Sequence, residues 1–200
     1  MTTTAIADDR QTYQNEAETL ERETRDNGRT VTRRDAADIL DLWNRALEHG
    51  ADRLDAADMR FLAVRMRANL AVRDMILTAV IAGDLEREQL IGIAANPHGA
   101  ATSTVMERAL SNVWSNPDAQ PDPVKCANAI QTALAIAARA PEPWSAQPYA
   151  VAAYAAWLTG DPDADDWALR ALAADEQCSL AAMVAAAVRC NLKPTRLEHR

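Results

Sequence analysis

Apolar side chains recur at spacings of three and four over most of this 200-residue chain, the pattern of helices that each bury one face. The clearest run starts at Thr32, a good N-cap with Asp35 three residues on. It continues through Ala36, Ile39, Leu40, Trp43, Ala46 and Leu47 to Gly50 at the C′ position. Asp55 caps the next helix, with Asp58 in its first turn. Met59, Leu62, Met66, Leu70, Leu77 and Val80 then form one stripe, predicting a single helix of about 27 residues that stops at Gly83-Asp84. Arg73 falls on that stripe. A charge there needs a partner, because an unpaired buried charge costs several kcal/mol. Asp74 sits about 100° further round the helix, so the expected partner is a carboxylate from another helix.

Beyond Gly83 the predicted helices are shorter. Leu85–Ala94 ends at Asn96-Pro97-His98-Gly99, a strong turn signal. Thr104 and Glu107 have the spacing of a capping box for Val105–Trp114. Asn116–Pro121 reads as a rigid connector, and Asp122-Pro123 as an N-cap with proline at N1. The helix it opens runs to about Ala140, with Ala127, Ile130, Leu134 and Ala137 on its expected buried face. Pro141-Glu142-Pro143 breaks the chain. Ser145 then caps a helix with Pro148 in its first turn, closing at Thr159-Gly160. Asp161-Pro162 opens another that ends near Asp175, and Leu180–Cys190 is the last, stopped by Asn191 and Pro194. Residues 1–30 are polar, with Tyr13 and Leu20 the only large apolar residues past Ile6. Gln11–Arg25 is expected to form an exposed, frayed helix that Asp26-Asn27-Gly28 ends. The division is therefore a polar segment 1–30, one helical domain 31–194 and a tail 195–200.

Composition agrees with this pattern. There are 43 alanines against 6 glycines and 9 prolines. Alanine is the best helix former, and the β-branched and aromatic residues that strands prefer are scarce. The expected fold is all-α, a bundle of about eight helices. Small side chains bury little area, so the final third should lean on Tyr149, Tyr154, Trp157, Trp167, Leu169, Leu172 and Met183. Nothing in the chain approaches the roughly 20 uncharged apolar residues of a membrane helix, and the first residues lack the features of a secretory signal. Cys126, Cys178 and Cys190 are an odd number. Cys178 and Cys190 would lie about 18 Å apart on one helix, too far for a disulfide. Reduced, buried thiols in a cytoplasmic protein are the expectation.

The formal net charge of -8 disfavours nucleic acid and anionic lipid as partners. Arginine (19) far outnumbers lysine (2), which invites a phosphate-binding reading. A GC-rich genome also raises Ala and Arg together, and the arginines are interspersed with carboxylates. Arg60 and Arg67 share a helical face, with Arg53 upstream and Arg65 and Arg73 on the same predicted helix. They could contact phosphate, or form a solvated face or internal ion pairs. Asp161, Asp163 and Asp165 imitate the start of a calcium loop, but Asp166 and Leu172 stand where that loop needs Gly and Glu. An N-cap cluster at a helix's positive end explains them better. His49, His98 and His199 have no second His or Cys at metal-ligand spacing. No phosphate-loop, nucleophile-elbow or metalloprotease motif occurs. The sequence assigns no catalytic, cofactor-binding or metal-binding residue.

Two resemblances remain. The stretch from Gly160-Asp161 to Asp175-Glu176 resembles the second helix of a tetratricopeptide repeat, with Ala164, Ala168 and Ala171 at its small positions. More widely, Ala156-Trp157, Gly160-Asp161, Ala168-Leu169, Ala171-Leu172, Asp175 and Leu192-Lys193-Pro194 occur in one order. With Val72-Arg73-Asp74 upstream, that order is similar, over residues 32–194, to the C-terminal helical part of the actinobacterial family called domain of unknown function 4192. Glu176 stands where that family has proline. The first resemblance implies tetratricopeptide-like hairpins near the C-terminal end; the second implies a helical fold and a bacterial cytoplasmic setting, and names no reaction. The expected function is a non-catalytic interaction or scaffolding module with a protein partner. The alternative is a nucleic-acid-associated regulator using the arginine-bearing helix, and a third class left open is an enzyme whose site is assembled from scattered Asp, Glu and Arg.

Overall fold

The computed structural model describes residues 3–83, 85–116, 118–119 and 121–198, with side chains described from residue 9 onward except 29–31, 196 and 198. Asp84, Pro117, Gln120 and His199 lie outside these residues, as does the side chain of Ile6. The described residues are helical and contain no strand. In order the helices are α1 (Thr3–Asn27), α2 (Arg29–His49), α3 (Ala56–Ala68), α4 (Leu70–Ile81), α5 (Arg87–Ala95), α6 (Ala100–Ser115), α7 (Pro123–Arg139), α8 (Ala146–Thr159), α9 (Ala164–Ala174) and α10 (Ser179–Arg189). A last turn, α11 (Thr195–Glu198), occupies the segment expected to be a tail.

Besides the terminal turn α11, helices exceed the expected eight for two reasons. The stripe from Met59 to Val80 is not one helix: Asn69 takes φ -141° and ψ 103°, ending α3 and capping α4. Its side chain accepts the Ala71 N–H at 3.0 Å. The break rotates the apolar stripe, so Leu70 is 45% exposed while Ala71 and Val72 are buried. The second reason is α1, which is ordered and docked. Tyr13 and Leu20, seven residues apart, are both buried in the core cluster, with Ala17 packed between them. Two large residues and an alanine make a seam too narrow to register as an amphipathic pattern.

Caps sort into local signals that hold and others that tertiary packing overrides. Asp55 and Asp58 form a reciprocal capping box. Asp122 accepts the Val124 and Lys125 N–H groups, with Pro123 in the first turn. Gly160 closes α8 at φ 78°, a left-handed conformation glycine adopts without a Cβ penalty. Thr32, by contrast, lies inside α2, which starts after Gly28 (φ 56°). Thr104 caps nothing: α6 starts after Gly99, and the Thr104 hydroxyl donates back to the Ala100 carbonyl at 3.0 Å. Ser145 precedes α8 without a side-chain cap bond. On α7, Ala137 is buried as expected and Ile130 and Leu134 pack partly against the core, but Ala127 is exposed, and the centre of the buried face is shifted to Cys126, Ala129, Thr132, Ala133 and Ile136.

Two helices are buried all round and organise the rest. In α4 the residues from Ala71 to Ile81 are buried except Asp74. In α8 burial extends over Ala146–Pro148 and Ala150–Leu158. Such helices belong at the centre of a bundle. Six alanines on α8 permit close approach, and α3, α4, α7, α9 and α10 all pack on it. Bulk comes from neighbours: Ile39, Leu40 and Trp43 of α2, Leu62 and Met66 of α3, Met75 and Ile76 of α4 and Ile136 of α7 are essentially inaccessible. Each such side chain contributes about 1.5–3 kcal/mol through burial. Of the residues expected to anchor the final third, Tyr154 and Trp157 are buried, and Tyr149, Trp167 and Leu172 pack partly against the core. Leu169 and Met183 are 49% and 46% exposed, contrary to expectation, because each lies on the outward arc of its helix. Among the described residues no helix is long and apolar enough to cross a membrane.

Candidate functional site

Of the clefts among the described residues, two combine a mostly apolar lining with charged groups. The first, of about 490 Å³, lies between α1, α2 and the α3–α4 junction and is bordered by Leu20, Arg25, Thr32, Asp35, Arg65 and Asn69. Asp35 is 4% exposed. Burial raises its carboxyl above the usual carboxylate range, against the opposing pull of Arg65 and Arg34. Its oxygens lie 3.4 Å from Arg65 and 3.5 Å from Arg34. Arg65 also donates to Glu16 and stacks its guanidinium 3.7 Å above the Phe61 ring. Glu16 accepts a second bond from Arg60 at 2.9 Å, and Arg34 donates to Glu23 at 2.9 Å. Asp35, Arg65, Glu16 and Arg60 at the bottom of this cleft thus answer one another's charge, although the buried Arg65 Nε makes no hydrogen bond among the described residues. The network is the seat of α1: Glu16 and Glu23 on α1 face arginines on α3 and α2. Tyr13 completes the seat, its ring 5.5 Å from that of Trp144. Burial pushes the Tyr13 phenol up to about 12.

The second cleft, about 390 Å³, is a groove between α4, α6, α8 and the start of α10. Its wall is an aromatic stack: Trp114 lies 4.7 Å from Trp157, which lies 5.6 Å from Tyr154, both pairs tilted. The C-terminal segment pins this wall. The Trp157 indole N–H donates to the Leu192 carbonyl at 3.0 Å, and the Thr195 hydroxyl donates to the Trp114 carbonyl at 2.9 Å. Met106, Leu110 and the exposed Met183 complete the apolar part. Arg73, Asp74 and Ser179 form the polar end.

Arg73 is buried as expected, at 7% exposure, but its partner is not a carboxylate from another helix. The guanidinium donates to Asp74 Oδ1 from Nε at 2.9 Å and from Nη2 at 2.7 Å. Its contact across the bundle is the amide of buried Gln147 on α8, accepting from Nη1 at 3.2 Å. The long Arg73 side chain curls back along α4, so its terminal atoms reach a neighbour that the direction of the Cβ atoms alone places out of range.

The other candidate residues are dispersed. Arg60, Arg65 and Arg67 lie on α3 while Arg73 belongs to α4. Arg60 and Arg67 do not act as one face, because Arg60 bonds Glu16 and Arg67 bonds Asp175 at the end of α9. That bond holds the Asp175 carboxyl below the usual range. Arg53 sits exposed in a short 3₁₀ turn, Ala51–Arg53. The Asp161 carboxylate accepts the Asp163 N–H at 3.0 Å, a turn preceding α9. His49 ends α2 beside Glu48, and His98 lies in the turn before α6. Cys126 and Cys178 are buried as expected, whereas Cys190, which follows α10, is exposed because it lies past the last buried turn, contrary to expectation; none of the three is in a disulfide. Among the described residues no group of three or more His, Cys, Asp or Glu side chains is placed to hold a metal ion.

The chain matches no family model, no curated protein and no solved structure. The groove therefore has to be read from its own chemistry. Tyr154, Trp157 and Met183 stand out in the sequence as large residues in an alanine-rich region, and Arg73 as a charge in an apolar stripe. Trp114, Met106 and Leu110 give no such signal, since they look like the ordinary apolar face of α6. Only the folding of α6 against α4 and α8 turns that face into a wall of the groove.

Proposed function

We propose that this chain is a non-catalytic helical interaction module of a bacterial cytoplasm, and that its working surface is the groove between α4, α6, α8 and α10. The observation that carries this reading is the contrast between the two clefts. The charges under α1 are consumed by each other. The groove instead sets a mostly apolar aromatic wall and an exposed methionine beside a single Arg73–Asp74 ion pair, whose Asp74 side chain is 38% exposed. Concave, mostly apolar sites with a few fixed polar groups are the usual form of a recognition site, and methionine adapts to varied partner shapes. The packing of α10 on both α8 and α9 suits the tetratricopeptide-like hairpins in this reading. The resemblance of residues 32–194 to the C-terminal helical part of domain of unknown function 4192 adds the bacterial setting. The nucleic-acid alternative loses its main support, because three arginines of its helix are already bonded to carboxylates.

A protein partner is tested by affinity capture from the native host with three forms of the chain: wild type, Met183→Arg in the groove, and Val124→Asp on the exposed face of α7. A protein retained by wild type and Val124→Asp but lost by Met183→Arg supports the reading. The same proteins captured by all three overturns it.

A further inference from the structure

Resting on the groove as the recognition surface, we infer that the groove takes the free carboxyl terminus of a partner polypeptide whose last side chain is apolar, with Arg73 as the carboxylate-binding residue. The guanidinium has five N–H donors, and its bonds to Asp74 and Gln147 use three. One hydrogen on each terminal nitrogen is left for a ligand. The bond to the Gln147 amide fixes the plane of the guanidinium from the α8 side, so the fork is held ready. Asp74 neutralises Arg73 in the empty groove, but it belongs to the next residue of the same helix and its side chain is 38% exposed. It can turn to water when a better-placed carboxylate arrives, so exchanging one acid for another leaves no charge stranded.

Charge selects the sign of the ligand. The same polar end receives the first turn of α10, where Ser179 and Leu180 border the groove and Cys178 provides no side-chain cap. The positive end of a helix favours an anion, and it adds to the field of Arg73. Elsewhere the chain is acidic, with a net charge of -8, so a bare anion is repelled overall. The ligand must bring apolar surface of its own for the space between Trp114, Trp157, Met106 and Met183. A volume of about 390 Å³ suits one or two side chains beside a carboxylate. The 46% exposure of Met183 marks an open edge where a chain can leave the groove. These are the requirements of a terminal apolar residue with its α-carboxylate, the rest of the chain running outward.

The test uses the full chain and fluorescently labelled hexapeptides ending in Leu, Phe, Met or Val, each as the free acid and as the C-terminal amide. Binding is read by anisotropy and by the emission of Trp114 and Trp157. At least one free acid should bind about tenfold or more tighter than its amide, the margin expected for a charge-assisted pair in a sheltered site. Arg73→Met should remove that preference, and Met183→Arg, a surface change, should weaken acid and amide alike. If wild type binds acid and amide equally, or binds none of the peptides, the inference fails. Equal binding with altered tryptophan emission would leave the groove reading standing, whereas loss of the Met183-dependent capture would remove both. Binding of 4-phenylbutyrate as tight as the best peptide would overturn the polypeptide assignment in favour of a small acid.

Discussion

Replacing Glu16 by alanine removes both ionic contacts that hold the middle of α1. Glu16 accepts from Arg60 at 2.9 Å and from Arg65, and the three side chains are 23%, 30% and 11% exposed respectively. Hydrogen bonds to charged groups contribute about 1.5–3 kcal/mol each when sheltered, and exposed ion pairs about 0–1 kcal/mol. A half-sheltered pair of bonds should therefore contribute about 2 kcal/mol together. That corresponds to roughly a thirtyfold increase in the population with α1 undocked. Hydrogen exchange read by mass spectrometry should show the amides of residues 9–27 exchanging about thirtyfold faster, with those of α8 unchanged, if local opening governs their exchange. Alkaline titration gives a second readout. The Tyr13 phenol is raised to about 12 by burial, whereas an undocked helix returns it toward the ordinary value of 10.0. The sign follows: with the folded value above the unfolded one, the stability from burying this phenol is present below pH 10 and is lost as pH rises from 10 to about 12. Glu18→Ala, on the exposed side of the same helix, should change neither readout. Unchanged exchange and an unchanged Tyr13 titration in Glu16→Ala would refute the claim that this carboxylate holds α1.

Thr132 is fully buried and its hydroxyl has no hydrogen-bond partner in the structure. Thr132→Val keeps the shape and removes the stranded group, so it should stabilise the chain by about 1 kcal/mol, or raise the midpoint of thermal unfolding by about 2–4 °C; a lower midpoint would contradict this. Burial raises the Asp35 carboxyl despite two flanking arginines, so the folded state binds that proton more tightly than the unfolded state does. Its contribution to stability should improve as pH falls through the raised value toward 3.8. Asp35→Asn should then match or exceed the wild-type melting temperature at pH 7 and lose that advantage on acidification; a fall of several degrees at pH 7 would show that the ion pairs dominate. Burial also raises the Cys178 thiol, and Cys126 is inaccessible. One thiol per chain, Cys190, should react rapidly with an aromatic disulfide reagent, the other two only after denaturant is added. Rapid reaction of two or three would contradict their burial.

What the sequence disclosed depends on the range of the interaction involved. Asp55 with Asp58, Asp122 with Pro123, and Gly160 are decided within four residues, and all three work as their spacing indicates. Asn69 is equally local, yet it carries no glycine or proline, and the apolar stripe continues on both sides of it. A capping asparagine inside a stripe looks the same as one on a helix surface. Thr32 and Thr104 have good cap spacing and do not cap, because Gly28 and Gly99 let their helices start earlier. The rotated face of α7 is set by which neighbours enclose it, and alanine on every side leaves the sequence no contrast to show it. The candidate groove was half legible. Arg73 reads as an unusual charge and Trp157 as an anchor, but the curl onto Asp74, the Gln147 contact and the arrival of Trp114 are products of tertiary packing.

Whether recognition occurs at the groove or at the cleft under α1 is tested most directly by a heteronuclear NMR screen of the full chain against small acids, bases and neutral aromatics. The shifts should concentrate on the indole N–H signals of Trp114 and Trp157 and on the amides of Leu77, Leu110 and Leu180, with acids the strongest class. Shifts gathered instead at Thr32, Asp35, Asn69 and Val72 would place the working site under α1 and contradict the groove as the recognition surface.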